Sequence, residues 1–527
     1  MSLCQLRVAS SYSLRHGTAP PAALVAAAAA RGQPMAALTD RDGVHGAAEH
    51  LSACAGAGLD PLLGTDLGLA SPEGGRVVLL ARGAAGWASV CALVTAAHAG
   101  QGPVAITPDQ VAHHPQGLVV LLGPDSDVGR LLAQGRPGRA AELLHAWRAT
   151  GAQVALAPHD HGAPGQRQVA RDLLRLGDAE RVLVVLTNAV RYPDPAGAPV
   201  AWALDRIRAH APGPFEAGPR VERAHLATGQ EMLEVAAGVC AGDQTRARRL
   251  LAHTQALATS CVLDPVADLG WGRLHLPDRP GARAELRIRV AEGAARLGLD
   301  QGSRASTARE RAAHELDIID RMGLWSYFLT VADAAAAIRA RGIRCSARGS
   351  AVGSLVVHLL GISAIDPLEH GLLMERFCTP SRPGQPDIDL DVESARRLEA
   401  YDAVIASHPG QSAAVSMMET YRARSALRDA GMALSLPAVE VHRLACALPR
   451  VRAARIRQTL AELPELRHLQ SLDATHVEKL VSLAERLDGL PQHVAMHPCG
   501  LVLSDEGMGA RMPTQPSRAG YPMVHAD

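Results

Sequence analysis

Asp387, Asp389 and Asp391 alternate with Ile388 and Leu390 directly behind Pro386. In an extended strand successive side chains leave opposite faces, so the three carboxylates share one face and the aliphatic pair packs on the other. Carboxylates crowded in this way repel unless cations sit between them, and hard oxygen donors suit Mg²⁺. The chemistry such a set performs is two-metal phosphoryl transfer, in which one ion activates an attacking oxygen and the other stabilises the leaving group. A calcium loop starting at Asp387 is excluded. It needs glycine at its sixth position and glutamate at its twelfth, where Val392 and Leu398 stand.

A second candidate is the small-residue turn Ala347-Arg348-Gly349-Ser350-Ala351-Val352-Gly353-Ser354, between an expected short strand at Ile343 to Cys345 and a buried helix ending near Leu360. Exposed amides at such a turn can hold phosphate. It is not a Walker loop, because its glycines are too close and no lysine follows the second. Arg339, Arg341, Arg344 and Arg348 lead into it with no acidic residue between them, which reads as an anion site. Arg422, Arg424 and Arg428 form a further basic group, with Arg424 and Arg428 on one helical face. Arg450, Arg452, Arg455 and Arg457 read as the solvated side of a helix.

The elements that must carry these residues fall into two styles. Up to about residue 270, short apolar runs (Met35 to Leu38, Val77 to Leu80, Leu118 to Leu122, Gln153 to Ala157, Arg181 to Leu186) alternate with Ala-rich helical stretches, the mark of an α/β domain. Pro- and Gly-rich punctuation at 193–199, 212–219 and 277–281 places the main boundary near Leu276. Beyond it Ala305 to Met322 and Tyr327 to Arg339 predict helices, and Tyr421 to Leu487 reads as wholly helical, interrupted at Pro437, Pro449 and Pro464. Gly500 to Ser504 reads as a strand.

Composition narrows the classes. A chain of 527 residues, 47% hydrophobic, has room for three or four domains. Its 53 basic and 53 acidic residues cancel, and Lys479 is the only lysine, so phosphate contacts must come from arginine, backbone amides or metal ions. Nine scattered cysteines without a Cys-x-x-Cys pair oppose a disulfide framework or a zinc knuckle and favour the cytoplasm. Neither a secretory signal nor a membrane segment is evident.

Taken in order, Tyr327-Phe328-Leu329, Arg348-Gly349-Ser350, Leu360-Gly361-Ile362 with Asp366-Pro367, Glu375-Arg376-Phe377 and Pro386 to Asp391 resemble the palm of the bacterial DNA polymerase III alpha subunit, a C-family polymerase, and most of all its error-prone paralogues. Thr420 to Ala426 with Arg428-Asp429 resembles the start of that family's thumb, and His497-Pro498-Cys499-Gly500 its return into the palm. The resemblance implies a multidomain α/β protein: a PHP-type distorted β/α barrel over 1–275, the first part of a polymerase-beta-like nucleotidyltransferase palm over 276–419, a helical thumb over 420–496 and the start of the palm return over 497–527. By motif, Asp387 and Asp389 carry the catalytic metals with Asp391 in support. Arg348, Gly349, Ser350 and Ser354 contact the nucleotide, and Arg422, Arg424 and Arg428 contact DNA. The implied cofactor is Mg²⁺. The implied partners are primer–template DNA and deoxynucleotides, with a sliding clamp or other replication proteins engaged through regions beyond this sequence.

In the barrel, Ser10 to Ser13, Ala37-Leu38-Thr39-Asp40 and Gly64-Thr65-Asp66 fall where PHP motifs belong, but the ligand set is degenerate. Arg7 and Ala9 replace the first two histidines, Arg41 replaces the histidine after Asp40, and Ala189 and Arg191 replace the late Asp and His. His16, Asp40 and Asp66 remain, while His159-Asp160-His161, flanked by Pro158 and Gly162, reads as a surface loop. Arginines around a would-be metal cluster repel cations, so PHP phosphoesterase or exonuclease activity is not expected. The family's third catalytic aspartate is expected just after the segment that Tyr521 to Asp527 resembles, which leaves the carboxylate set of these 527 residues incomplete. The readings in play are therefore an alpha-type DNA polymerase for replication or error-prone translesion synthesis, a non-catalytic remnant binding DNA or replication partners, and a PHP metallohydrolase.

Overall fold

A computed structural model describes residues 3–100, 102–209, 223–277, 279–379, 386–463 and 474–526. The turn-rich stretch 212–219 and Pro464 lie outside these residues. The chain divides into two compact units, one made of Met1–Arg273, Val415–Pro498 and Gly509–Asp527, the other of Leu274–Ala414 and Cys499–Met508.

The first unit is built on a seven-stranded sheet with β1 (Met35–Arg41), β2 (Asp60–Leu69), β3 (Arg76–Ala81), β4 (Ala105–Ile106), β5 (Leu118–Leu122), β6 (Gln153–Leu156) and β7 (Leu183–Val184). Its order is β1-β2-β3-β5-β6-β7, with β4 on β2. β1 runs parallel to β2, but β3 is antiparallel to both β2 and β5. The reversal follows from the link 70–75, too short for a crossover helix, where Gly74 and Gly75 take φ of 60° and 113°. Gly64 is required for the same pairing, since a Cβ there would meet the Leu79 carbonyl oxygen at 2.1 Å.

The sheet is closed by the N-terminal segment. Ala9 N–H donates to the Val190 carbonyl at 2.9 Å on one side, and Thr39 N–H donates to the Val8 carbonyl at 2.7 Å on the other. The result is a distorted barrel. Leu6, Leu62, Val78, Leu80, Val119, Leu121 and Ala155 fill one face of its wall as one cluster, while Val77, Leu79, Val120 and Leu122 pack among helices on the other. Strands buried on both faces read as unbroken apolar runs rather than alternating ones, which is why β3 and β5 stand out in the sequence. β2 does not stand out, because Gly64, Thr65, Asp66 and Gly68 interrupt its apolar run.

The same unit contains the helices Ala423–Ala433, Ala438–Ala447, Ile456–Glu462 and Ala474–Arg486. Their apolar stripes share a core with Val200, Ala203, Leu204 and Ile207 of the helix Ala198–Ala209. The helical reading of 421–487 thus holds for its described residues.

In the second unit, Ala305–Met322 and Trp325–Ala340 are helices, as their spacing predicts. They pack with Phe377, Met374 and the short helix Leu355–Leu359. Two short strands, β8 (Cys345–Ala347) and β9 (Leu390–Val392), pair antiparallel, with Ala347 opposite Leu390 and Cys345 opposite Val392. In the first unit fall most of β10 (Ser412–Thr420) and β11 (Pro491–Leu503) and all of β12 (Thr514–Pro516) and β13 (Pro522–Val524), which form a four-stranded sheet in the order β11-β10-β13-β12. β10 has no counterpart in the sequence reading. Ser412, Ser416, Glu419 and Thr420 dilute its apolar residues below the contrast that marks a strand.

Candidate functional site

The carboxylate strand has the alternation its sequence predicts. Asp387, Asp389 and Asp391 are exposed, while Ile388 and Leu390 pack against the core of the second unit. Regular pairing begins only at Leu390, and two further bonds extend it backwards. Arg348 N–H donates to the Asp389 carbonyl at 3.1 Å, and Ile388 N–H donates to the Tyr327 hydroxyl oxygen at 2.9 Å. The tyrosine of the Tyr327-Phe328-Leu329 motif therefore fixes the strand that carries the aspartates.

Arg348, the first residue after β8, bridges two of the three carboxylates, with Nη2 at 3.3 Å from Asp389 Oδ2 and Nε at 3.2 Å from Asp391 Oδ1. The two acids thus lie close enough on one edge for a single cation to span them. All three side chains are more than half exposed, so this bridge adds little to stability. Beside it opens a cavity of about 460 Å³ lined by Ile338, Val404, Tyr401 and Leu501 as well as by Arg348, Asp389 and Asp391. Gly349 follows with φ of 70° and opens a 3-10 turn through Gly353, and a Cβ at Gly349 would meet nothing within 4 Å. The chain reverses there without crowding and leaves its amides approachable.

The remaining arginines before the turn do not converge on it. Arg339 donates from Nε and Nη2 to the Cys345 carbonyl, Arg341 donates to the Glu399 carbonyl, and Arg344 pairs with Glu393. The expected four-arginine anion site reduces to Arg348. Ser354 also lies away from the surface: it is fully buried, and its hydroxyl donates to Glu315 Oε2 at 2.7 Å while accepting from Val357 N–H at 3.2 Å. Glu315 accepts in addition from the amides of Leu355 and Val356 at 3.0 Å each and from Arg311 Nε at 2.6 Å. Ser354 is a helix cap on a buried glutamate, a role concealed by its place in a glycine-serine run. Ser350 is exposed.

In the basic group further on, Arg422, Arg424 and Arg428 are all exposed, but Arg424 donates from Nε and Nη2 to the Leu448 carbonyl at 3.0 and 2.8 Å. It ties down the end of the helix Ala438–Ala447, and the group's outward charge rests on Arg422 and Arg428.

The barrel carries its own polar cavity, of about 180 Å³, lined among others by Arg7, His16, Arg41, Asp66, Asp125 and His159. Arg7 donates to Asp66 Oδ2 from Nη2 at 2.9 Å and to Asp125 Oδ2 from Nη1 at 2.9 Å. Arg76 completes Asp66 with a 2.6 Å bond from Nε to Oδ1. Burial pushes the Asp66 carboxyl up, yet Arg76, Arg7 and Arg41 outweigh it and hold the group at about 2. Guanidinium groups thus neutralise the carboxylates that a metal-dependent member would present to cations. Asp40 stands apart: it accepts from Ser10 N–H, Ser10 Oγ and Ser13 Oγ, and burial raises it to about 6 despite those bonds. Arg191 leaves the cluster for a bidentate pair with Asp205, both bonds at 2.8 Å.

Several residues of this cluster escape or mislead the sequence reading. Asp125, which lines the cavity, and Arg76, which reaches Asp66 from outside the lining, enter only because β3 and β5 close beside β2, and their sole signal is a position at or near a strand end. His159-Asp160-His161 is not a surface loop. His159 is 3% exposed and Asp160 2%, and both histidine side chains line the cavity. Among the described residues no group of three or more His, Cys, Asp or Glu is arranged to hold a metal ion.

Comparison with known proteins finds a match for each of the two regions. Residues 284–527 match the bacterial DNA polymerase III alpha NTPase domain, and residues 5–156 match the PHP domain. An error-prone DNA polymerase of Symbiobacterium thermophilum is 33% identical over 100% of this chain and 50% of its own length. One from Anaeromyxobacter sp. (strain K) is 32% identical over 97% of this chain and 51% of its own length, and one from Mycobacterium bovis 30% identical over 98% and 47%. The chain spans about half the length of the curated relatives it matches. Among solved structures, an amidohydrolase from Chromobacterium violaceum overlaps 35% of this chain and 86% of its own at 17% identity and a TM-score of 0.24, a likeness on which nothing here rests. The chain thus carries a PHP domain followed by a bacterial DNA polymerase III alpha NTPase domain.

Proposed function

We propose that this chain works as the PHP and palm–thumb part of an error-prone, DNA-directed DNA polymerase, adding deoxynucleotides to a primer 3′ end in replication or translesion synthesis. The observation that carries the reading is the exposed carboxylate edge of β9, where one guanidinium already spans Asp389 and Asp391 beside an open glycine turn. The donors are hard oxygens on and just before a paired strand, which fits Mg²⁺. Asp387 and Asp389 would hold it, with Asp391 in support. When bound, such ions activate the attacking 3′ oxygen and neutralise the leaving pyrophosphate.

The other parts follow from the chain's own residues. Arg348 and the amides of the Gly349–Gly353 turn, with Ser350 at its surface, bind the nucleotide's phosphates. Arg422 and Arg428 contact the primer–template backbone. In this reading residues 276–419 act as the palm, 420–496 as the thumb and 497–527 as the return toward the palm, in the cytoplasm. No residue of this chain is proposed to contact a sliding clamp. Among the described residues no helix is long and apolar enough to cross a membrane.

Primer extension with the purified chain, a matched template and Mg²⁺ tests this directly. Nucleotide addition that disappears in Asp389→Asn is expected. No addition even with protein in excess over primer, together with retained DNA binding, would favour the second reading, a non-catalytic part that binds DNA or replication partners. A PHP phosphoesterase is opposed by Arg7, whose guanidinium stands between Asp66 and Asp125.

A further inference from the structure

The barrel cavity has on its wall one cation that lacks a close acidic partner. Of its lining residues, Arg7, Arg41 and Arg191 are cationic against Asp66 and Asp125. Arg7 is used up by those two acids, and Arg191 by Asp205 together with the His16 and Ala201 carbonyls. Arg41 has no such match. Its ion pair to Asp66 Oδ2 is 3.8 Å long, beyond hydrogen-bond reach, while Asp66 is already saturated at shorter range by Arg7 and Arg76. The buried Nε of Arg41 has no hydrogen-bond partner.

A second group in the same cavity is left incomplete. His159 is 3% exposed, and its Nδ1 has no partner either. A buried donor left unmade costs stability unless a ligand or water completes it. The wall also includes Ala9 and Ala189, whose side chains are short. The volume of about 180 Å³ is below the range of about 300 to 1,000 Å³ usual for drug-sized ligands, so a whole nucleotide is too large. An arginine fork and an imidazole around a small void suit a tetrahedral oxyanion.

We propose that the barrel cavity is an oxyanion site, in which Arg41 and His159 bind a free inorganic phosphate in a space bounded by Ala9 and Ala189. The anion completes the hydrogen bonding of both side chains. The barrel thereby keeps a phosphate-sized pocket built on cations of its own. None of these residues lies in the second unit, so the proposal stands or falls separately from polymerase activity.

Titration calorimetry of the full chain with inorganic phosphate, against chloride at matched ionic strength, tests it. Saturable one-site binding is expected. Arg41→Met should weaken it by about tenfold or more, as loss of a charge-assisted bond does. Ala9→Leu, which fills the void and leaves every charge in place, should abolish it. Arg41→Met should also unfold at the same temperature as the parent protein, or a higher one, in phosphate-free buffer, because the charge it removes lacks a close partner; this separates weakened binding from misfolding. No saturable heat beyond chloride, or equal affinity in the parent and both variants, overturns the site.

Discussion

Arg7 Nη2 stands 2.9 Å from Asp66 Oδ2 inside the barrel. The pair is almost wholly withdrawn from water, with side-chain exposures of 11% and 4%. Removing one member strands the other. Arg7→Met should therefore lower stability by about 3 kcal/mol or more, the usual cost of breaking a buried ion pair, measured by urea denaturation followed with a probe in the first unit. Excess chelator should leave the parent protein's unfolding midpoint unchanged, since guanidinium groups already neutralise these acids.

Asp66 and Asp40 should oppose each other as pH changes. Asp66 is held at about 2, below its unfolded value near 3.9, so it stabilises the fold above that value and loses its contribution as pH falls from about 4 through 2. Asp40 is raised to about 6, so its contribution is full below about 4 and is lost as pH rises through 6. Stability of Asp40→Asn, compared with the parent protein from pH 4 to 7, should decline less over that interval. Parallel curves would refute the assignment.

Ser354 and Ser350 separate structure from ligand binding. Ser354→Ala removes both a helix cap and a bond to buried Glu315, and should cost about 1 to 3 kcal/mol while leaving deoxynucleotide affinity unchanged. Ser350→Ala should do the reverse. Thermal unfolding and fluorescent-nucleotide titration read the two effects apart.

Two glycines of the second unit should differ in how they tolerate alanine. Gly293 cannot accept a Cβ without meeting the Leu359 carbonyl oxygen at 2.1 Å, so Gly293→Ala forces the helix Ala282–Arg296 away from Leu355–Leu359 and should cost about 1 to 3 kcal/mol or more. Gly349 has open space around its Cβ position but a φ of 70°. Gly349→Ala should cost only about 1 to 2 kcal/mol, the strain of a left-handed residue. Chemical denaturation of the two variants gives the comparison.

Arg348→Ala should change stability by less than about 1 kcal/mol, because its ion pairs are exposed. It should nevertheless tighten Mn²⁺ binding at Asp389 and Asp391, observed by electron paramagnetic resonance without nucleotide or DNA, by removing a competing cation. Weaker Mn²⁺ binding would make Arg348 a support of the carboxylates rather than their competitor.

The residues themselves determined whatever depends on local pattern. Alternation over Asp387 to Asp391 places three acids on one face, heptad-like spacing makes Ala305 to Met322 a helix, and runs such as Leu118 to Leu122 mark strands buried on both sides. That Arg7, Ala9, Arg41, Ala189 and Arg191 are side chains unsuited to holding a cation was equally legible, because side-chain type alone decides it. Only the tertiary structure decided partners. Arg348 rather than Arg339, Arg341 or Arg344 reaches the acids, Ser354 turns inward to Glu315, and Asp125 and His159 join a cavity whose strands lie far apart in sequence. Charge and hydroxyl groups have no period. Where each one spends its hydrogen bonds is set by which carbonyl or carboxylate the packed core happens to bring within about 3 Å, and that is a property of the fold.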